Sequence, residues 1–348
     1  MELMNVILRW GTYKIINKIK GDGCYEKNKI NEFIQWNRCF WRGVKKIGID
    51  FDLVNYCEFD DKIAKCYSLI HNEPLSKNLG DINKVDETSL PDFDLMTFGF
   101  PCQTFSIAGK REGFNDKTRG NLFFESVRIA KYKQPKYMIA ENVKGLLSHD
   151  KGETFRIVIE TLNKIGYNTY WKVIKSTDFD IPQARERVFI VCIRKDIDDK
   201  KFNFPEGRRT NKTVKDILEN LPRKEMKSSL KPYNNPTYFT KEYKDSVFNM
   251  KKLFDGVGEG YFTSSFTSNR IYSINGVSPT LTTKNDAVYS EINGHLTQRE
   301  RFKLQGFNPD YVDLLLNNGI TKGLLDKVSG NSITVNVLEA IFRNLFLD

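Results

Sequence analysis

Between Asp50 and Arg194 short apolar runs alternate with stretches whose apolar residues recur at helical spacing, and few folds accept that alternation. Asp50 to Cys57 reads as a strand ending at Glu58, and Asp61 to His71 sets Ile63, Ala64, Tyr67 and Ile70 on one helical face. A run through Phe93, Leu95, Met96 and Phe98 leads to Cys102, and Leu122 to Ala130 reads as a helix. Tyr137 to Ala140 is a short buried strand ending at Glu141. Phe155 to Ile165 follows as an amphipathic helix, then Thr169 to Ile174 and Val188 to Ile193 as strands. Strands alternating with helices predict an α/β fold built on a doubly wound, mostly parallel sheet. Such sheets gather ligands at the carboxyl ends of their strands. Cys102 and Glu141 are therefore expected in one crevice.

The remainder reads differently. Residues 1–32 carry lysines, isoleucines and glycines in no sustained period. Residues 196–270 are rich in lysine, asparagine and aromatics and are broken by Pro205, Pro222, Pro232 and Pro236, which suits a small irregular domain. Ser332 to Leu345 returns to helical spacing. The expected division is a large domain over 1–195, completed by 320–348, and a second, smaller domain over 196–319. A chain of 348 residues has room for both cores.

No run approaches a membrane span, and the first residues lack the layout of a signal peptide, so a cytoplasmic protein with reduced thiols and no membrane partner is expected. The six cysteines include no C-x-x-C pair, and with three histidines they form no pattern that would hold a metal. A formal charge of +10 favours a polyanionic partner.

Five motifs share one order: Gly99-Phe100-Pro101-Cys102-Gln103-x-x-Ser106, Glu141-Asn142-Val143, Gln183-Ala184-Arg185-Glu186-Arg187, Ser278-Pro279-Thr280 and Gly330-Asn331-Ser332. Together they resemble the cytosine-5 DNA methyltransferases of prokaryotic restriction-modification or phage type. The resemblance implies a Rossmann-like fold that uses S-adenosylmethionine, with a target-recognition domain in the smaller unit. It implies a monomer acting on double-stranded DNA, with a cognate restriction endonuclease that reads the same site without a stable complex. Carbon 5 of cytosine is a poor nucleophile, and a thiolate adding to carbon 6 activates it; Cys102 is the candidate. Glu141 would meet ring nitrogen 3. By the same resemblance Arg185 contacts the extruded cytosine and supports the cysteine, and Arg187 buttresses the site. Two arginines two apart on extended chain are expected to point to one face.

For the cofactor the resemblance marks Glu58 and Phe59 after the first readable strand, Asp81 and Ile82 in Gly80-Asp81-Ile82, Pro101, and Asn331 with Ser332 at a helix start. Glu58 would hold ribose hydroxyls and Asp81 an adenine amino group. Gln103, Ser106, Lys110 and Arg111 lie in a glycine-rich, basic stretch from Gln103 to Asn121 that suits a lid closing on the DNA backbone while the base flips out. Two other readings stay open: a tRNA methyltransferase of the same fold, and a catalytically impaired relative that only binds DNA.

One expected motif is missing. The family opens with a strand and a Phe-x-Gly-x-Gly turn, whose glycines let the backbone approach the methionine end of the cofactor. Here the chain reads Phe33-Ile34-Gln35-Trp36-Asn37-Arg38-Cys39-Phe40-Trp41-Arg42-Gly43. Back-translated and read from the second base, this stretch permits Leu-Phe-Ser-Gly-Ile-Gly. One glycine is forced by Trp36 with the first base of Asn37, and the other is permitted by Arg38. Residues from about Ile30 to Val44 are therefore read as out of frame, with Lys45-Lys46 as an adenine run where the frame returns.

Overall fold

A computed structural model describes residues 28–34, 47–48, 51–101, 122–220, 252–255, 270–284, 287–289, 291–292 and 294–347. Its centre is a six-stranded sheet in the order β2-β1-β3-β4-β7-β5. The strands are β1 (Asn28–Ile34), β2 (Phe51–Cys57), β3 (Leu95–Gly99), β4 (Tyr137–Val143), β5 (Tyr167–Lys175) and β7 (Glu186–Arg194). Parallel pairing joins β2 to β1, β1 to β3 and β3 to β4. β7 is antiparallel to both β4 and β5, so β5 runs with the other strands and one strand of the six is reversed. The sheet is α/β and mostly parallel, as the strand and helix alternation predicts.

Each buried strand feeds two cores by its period of two. On β7, Phe189, Val191 and Ile193 join a first core, while Val188, Ile190 and Cys192 join a second. On β4 Ile139 faces the first core, and Met138 and Ala140 face the second. Helices α1 (Asp61–His71), α5 (Asp310–Asn317), α6 (Lys322–Asn331) and α7 (Val335–Phe346) cover the first face, and α2 (Leu122–Lys133) and α3 (Glu153–Lys164) cover the second. The last helix therefore shares the first core with α1, on the sheet that the chain built first. Val335, Leu338, Ile341 and Phe342 are fully buried there at about helical intervals, and Phe346 tilts against Phe51 with ring centroids 5.8 Å apart.

In β2 Leu53 stands beside Ile30 and Asn55 beside Asn31, which makes Val54 an extra residue. Such a bulge reverses the alternation. Phe51 and Leu53 belong to the first core, and beyond the bulge it is Tyr56 that does so, while Cys57 turns to the second.

One stretch that the sequence left unread is placed, and one sequence reading is corrected. A strand occupies Asn28–Ile34, in a region that shows no period, and it lies between β2 and β3 rather than at an edge. Its apolar residues, Ile30, Phe33 and Ile34, stand at i, i+3 and i+4, the spacing of a helix, so the pairing of its neighbours is what makes it a strand. Gly330 to Ser332 is also not a helix start. It closes α6, and Ser332 to Thr334 cross in extended form to α7.

Three shorter pairings complete the fold. β6 (Gln183–Ala184) runs parallel to β10 (Ser278–Pro279), and β9 (Arg270–Tyr272) pairs with β8 (Lys252–Asp255) and β11 (Val288–Tyr289). A third core of Val214, Ile217, Tyr272, Leu281, Tyr289, Leu296 and Leu304 sits under them. Helix α4 (Gln298–Lys303) starts with a capping box in which Thr297 and Glu300 satisfy each other's backbone N–H groups. Among the described residues no helix is long and apolar enough to cross a membrane.

Candidate active site

The carboxyl ends of β3 and β4 lie side by side, because parallel pairing sets Gly99 next to Glu141. Beyond Gly99 the chain runs through buried Phe100 and half-buried Pro101 towards Cys102. The Asn142 amide donates to the Phe100 carbonyl at 2.6 Å, and its own oxygen accepts from the Val143 N–H at 2.8 Å. One side chain thus ties the end of β4 to the backbone two residues before the cysteine. Glu141 is 8% exposed and forms an ion pair with Arg187, Oε1 to Nε 3.0 Å. A buried carboxylate needs such a partner. Lys144 and Glu186 form a second ion pair at the rim, 3.1 Å long.

The two arginines of the Gln183–Arg187 motif do not share a face, which corrects the expectation. β6 ends at Ala184 and β7 begins at Glu186, and between them the Arg185 N–H bonds to the Gln183 carbonyl at 2.8 Å. That tight turn breaks the extended chain, so the period of two does not carry across it. Arg187 goes to Glu141. Arg185, 3% exposed, donates to the carbonyls of Leu281 (3.4 Å), Gly330 (3.2 Å) and Ser332 (2.6 Å). Both terminal nitrogens of its guanidinium are committed to backbone, and the member of the pair beside the glutamate is Arg187.

Those carbonyls belong to a buried polar seam. Arg301, 1% exposed, donates to Thr282 O at 2.7 Å and to Ser329 Oγ at 3.0 Å, and pairs with Asp326 at 3.1 Å. Gln183 donates to Leu304 O at 2.7 Å and accepts from the Leu281 N–H at 3.0 Å; Gln305 donates to Ser329 O at 2.7 Å. The Ser278-Pro279-Thr280 stretch is joined to this seam through the β6–β10 pairing and a Thr280 hydroxyl donated to Ala184 O.

On the other side of Gly99, the end of β2 carries Glu58, 5% exposed, and Phe59, 56% exposed. Glu58 Oε1 accepts from the Asp60 N–H at 3.0 Å, and Asp60 caps α1 and pairs with Lys327 of α6 at 3.1 Å. Burial acts to raise the Asp60 pKa, but the Lys327 hydrogen bond and the Ile63 N–H outweigh it and hold the carboxyl below its usual range. Asp81 caps a short 3₁₀ turn, Ile82–Lys84, by accepting from the Asn83 N–H at 3.0 Å. Burial, and then the charges of Asp81 and Glu58, push the Cys57 thiol up, which marks both carboxylates as its neighbours. Ile82 gives its side chain to the second core.

Asn331 and Ser332 end α6, four and five residues after Lys327. Ser332 is fully buried and its hydroxyl donates to Val328 O at 2.7 Å, which makes it part of the packing. Asn331 Nδ2 is buried and meets no hydrogen-bond acceptor, an orphan donor that calls for a ligand. Two carboxylates on neighbouring loops, the exposed Phe59 ring between Glu58 and Asp60, and this orphan amide suit a nucleoside. Cys102, Gln103, Ser106, Lys110 and Arg111 lie outside the described residues, as does the stretch 35–44 where the glycine turn is expected.

A family model for C-5 cytosine-specific DNA methylase matches residues 39–347. The chain belongs to that family. By family it is a DNA cytosine-5-methyltransferase, and the match leaves out β1 and the position of the missing glycines. It is 40% identical to the type II methyltransferase M.NgoBI of Neisseria gonorrhoeae over 81% of this chain and 82% of that one. It is 33% identical to the type II methyltransferase M.HhaI of Haemophilus parahaemolyticus over 83% of this chain and 85% of that one. The solved structure of the Entamoeba histolytica methyltransferase EhMeth superposes with a TM-score of 0.64 at 16% identity, covering 92% of this chain and 98% of that one. That likeness carries the fold.

The structure adds residues that motif reading did not single out. Asn142 was visible only as the middle of a tripeptide. Asn78 carried no signal beyond standing two residues before a glycine. Arg301 lies in a run of charged residues that looks like a solvated helix face, and only its partners show it to be interior.

Proposed function

We propose that this methyltransferase acts on cytosine in duplex DNA, with the base turned out of the helix and attached to Cys102 during the reaction. S-adenosylmethionine, when bound, supplies an electrophilic methyl group. Glu58 would hold its ribose, Asp81 its adenine, and Asn331 would offer the donor left over at the end of α6. Cys102 adds as thiolate to carbon 6, which moves electron density towards carbon 5 and ring nitrogen 3. Glu141 meets nitrogen 3, and Arg187 keeps the Glu141 carboxyl aimed. Arg185 acts at a distance, by fixing the backbone on which Ser332 and Leu281 sit. In this reading Arg187 keeps its buttressing role, and Arg185 is moved away from the cytosine.

The observation that carries the proposal is the Asn142 bridge to Phe100. It ties the strand end that leads to the cysteine to the strand end that holds the Glu141–Arg187 pair. Residues 196–319 are proposed to read the DNA sequence through base edges. Of the aromatic and basic residues there that are candidates for DNA contacts, Arg270 lies in β9, whereas Tyr233, Tyr238, Lys241 and Tyr243 lie outside the described residues. The protein is proposed to modify a fixed site that a partner endonuclease also reads.

The test separates the nucleophile from the donor. Thiolate addition makes carbon 5 basic, so solvent can exchange the hydrogen there even without a methyl donor. Duplex DNA carrying tritium at cytosine carbon 5 should release it to water with this protein, and Cys102→Ser should reduce release to background. Equal release by the serine variant would remove Cys102 from the mechanism. Release from tRNA but not from duplex DNA would favour the tRNA reading.

A further inference from the structure

Asn78 sits in the loop between α1 and β3, and its side-chain amide makes three hydrogen bonds. Its Oδ1 accepts from the Glu58 N–H at 2.9 Å and from the Gly80 N–H at 3.1 Å, and its Nδ2 donates to the Glu58 carbonyl at 2.9 Å. A single amide therefore pairs with both backbone groups of Glu58, as another strand would, and turns the chain at Gly80. The backbone reinforces it: Leu79 N–H donates to Tyr56 O at 2.7 Å, and Tyr56 and Asn78 form a parallel bridge. Gly80 has φ of +71°, a conformation glycine adopts without strain, and Asp81 follows directly.

We infer that Asn78 is a positioning residue for the methyl donor, setting the separation of the Glu58 and Asp81 carboxylates that grip its nucleoside. The inference rests on the donor-site reading under Proposed function. The chemistry asks for such a part. Glu58 ends one strand and Asp81 starts a separate 3₁₀ turn, 23 residues further on. Two carboxylates that bind ribose hydroxyls and an adenine amino group must hold a fixed distance, and like charges on independent loops drift apart. Three hydrogen bonds through one planar group remove that freedom. Asn78 itself reaches neither carboxylate in its hydrogen bonds, so it acts through the backbone that carries them.

The experiment uses adenosine, which lacks the methionine end and so does not depend on residues 35–44. Adenosine and duplex DNA affinities are measured by calorimetry for the protein, Asn78→Ala, Glu58→Gln and the double variant. Asn78→Ala should weaken adenosine binding by about tenfold or more and leave DNA binding within about twofold. In the Glu58→Gln background the same change should cost under about threefold, because a residue acting through Glu58 has little left to position. A folded Asn78→Ala variant with unchanged adenosine affinity, or full additivity with Glu58→Gln, would overturn the inference. Should the alanine variant fail to fold, Asn78→Asp keeps the accepted bonds and loses the donated one. It should weaken adenosine binding about three- to tenfold, again without additivity, and no weakening would count against the idea. Absence of saturable adenosine binding by the unsubstituted protein at millimolar concentration would overturn the donor-site reading and this inference with it. Normal binding by both protein and variant would overturn the inference alone.

Discussion

Replacing Gly330 with alanine tests whether the polar seam behind the active site is as tightly closed as its distances show. Gly330 lies in the last turn of α6 with the backbone of residues 282–283 pressed against it. A Cβ there would stand 2.1 Å from the Thr282 oxygen, 2.3 Å from its carbonyl carbon and 2.6 Å from the Thr283 nitrogen. Ordinary contact begins at 3.4 Å, so 3.4 − 2.1 leaves 1.3 Å that the two segments must give up. Overpacking of this kind costs about 1–3 kcal/mol. The retreat also lengthens the Arg301 bond to Thr282 O, now 2.7 Å, and hydrogen bonds from charged groups contribute about 1.5–3 kcal/mol. Helix propensity works the other way, favouring alanine over glycine by about 0.5–1 kcal/mol. The net expectation is a loss of about 2–4 kcal/mol. With a domain of this size losing about 2–4 °C per kcal/mol, thermal melting should fall by roughly 4–16 °C. Paired thermal melts of the protein and Gly330→Ala read it directly. An unchanged or raised Tm would mean that helix propensity decides the outcome, and the close-contact reasoning would be refuted.

The Asp60–Lys327 pair predicts a pH dependence of defined sign. The Asp60 pKa is lowered in the folded protein, so its contribution is full above the unfolded value of 3.8 and is lost as pH falls through the folded value. Lys327→Gln should therefore melt slightly lower than the parent at pH 7, by an exposed pair's usual ~0.5 kcal/mol, and the difference should vanish in strong acid. A gap that widens on acidification would contradict the assignment. The second expectation concerns residues 33–44. Rewriting them in the shifted frame, with Ser-Gly-Ile-Gly in place of bulky side chains, should tighten S-adenosylmethionine binding by at least about tenfold, or ~1.4 kcal/mol. Tight cofactor binding by the chain as written, together with a gene sequence that supports the present frame, would rule this out.

What could be read from the sequence followed from periodicity where burial is two-sided or one-sided in a simple way. Val188 to Ile193 is apolar throughout because both of its faces are covered, and α1 was legible to its ends, from the Asp60 cap to the left-handed Asn72. The placement of Glu141 near the cysteine strand was legible too, since strand ends in such sheets share a rim. The rest depended on contacts that are distant in sequence. β1 sets its apolar residues at helical spacing and is made a strand by its neighbours. Arg185 and Arg187 part company because of a turn at one peptide, which the motif's spacing conceals. Asn78 does its work through the backbone of a residue twenty positions earlier. The reversal of β7 leaves no mark in its composition, because an apolar strand reads the same in both directions.

That reversal has a geometric consequence. β7 is nine residues long, which at about 3.3 Å per residue is a span near 30 Å. Were it to run with its neighbours, the residues entering it would start from the opposite margin of the sheet, and Arg187 would be that far from Glu141. Turned round, it delivers an entrance where the others deliver exits. Contributions from early and late parts of the chain thereby converge, and Arg194 leaves from the far margin. The polypeptide after Arg194 must therefore cross back before Ser278 and Pro279 can pair with Gln183 and Ala184 at the margin where the chemistry is assembled.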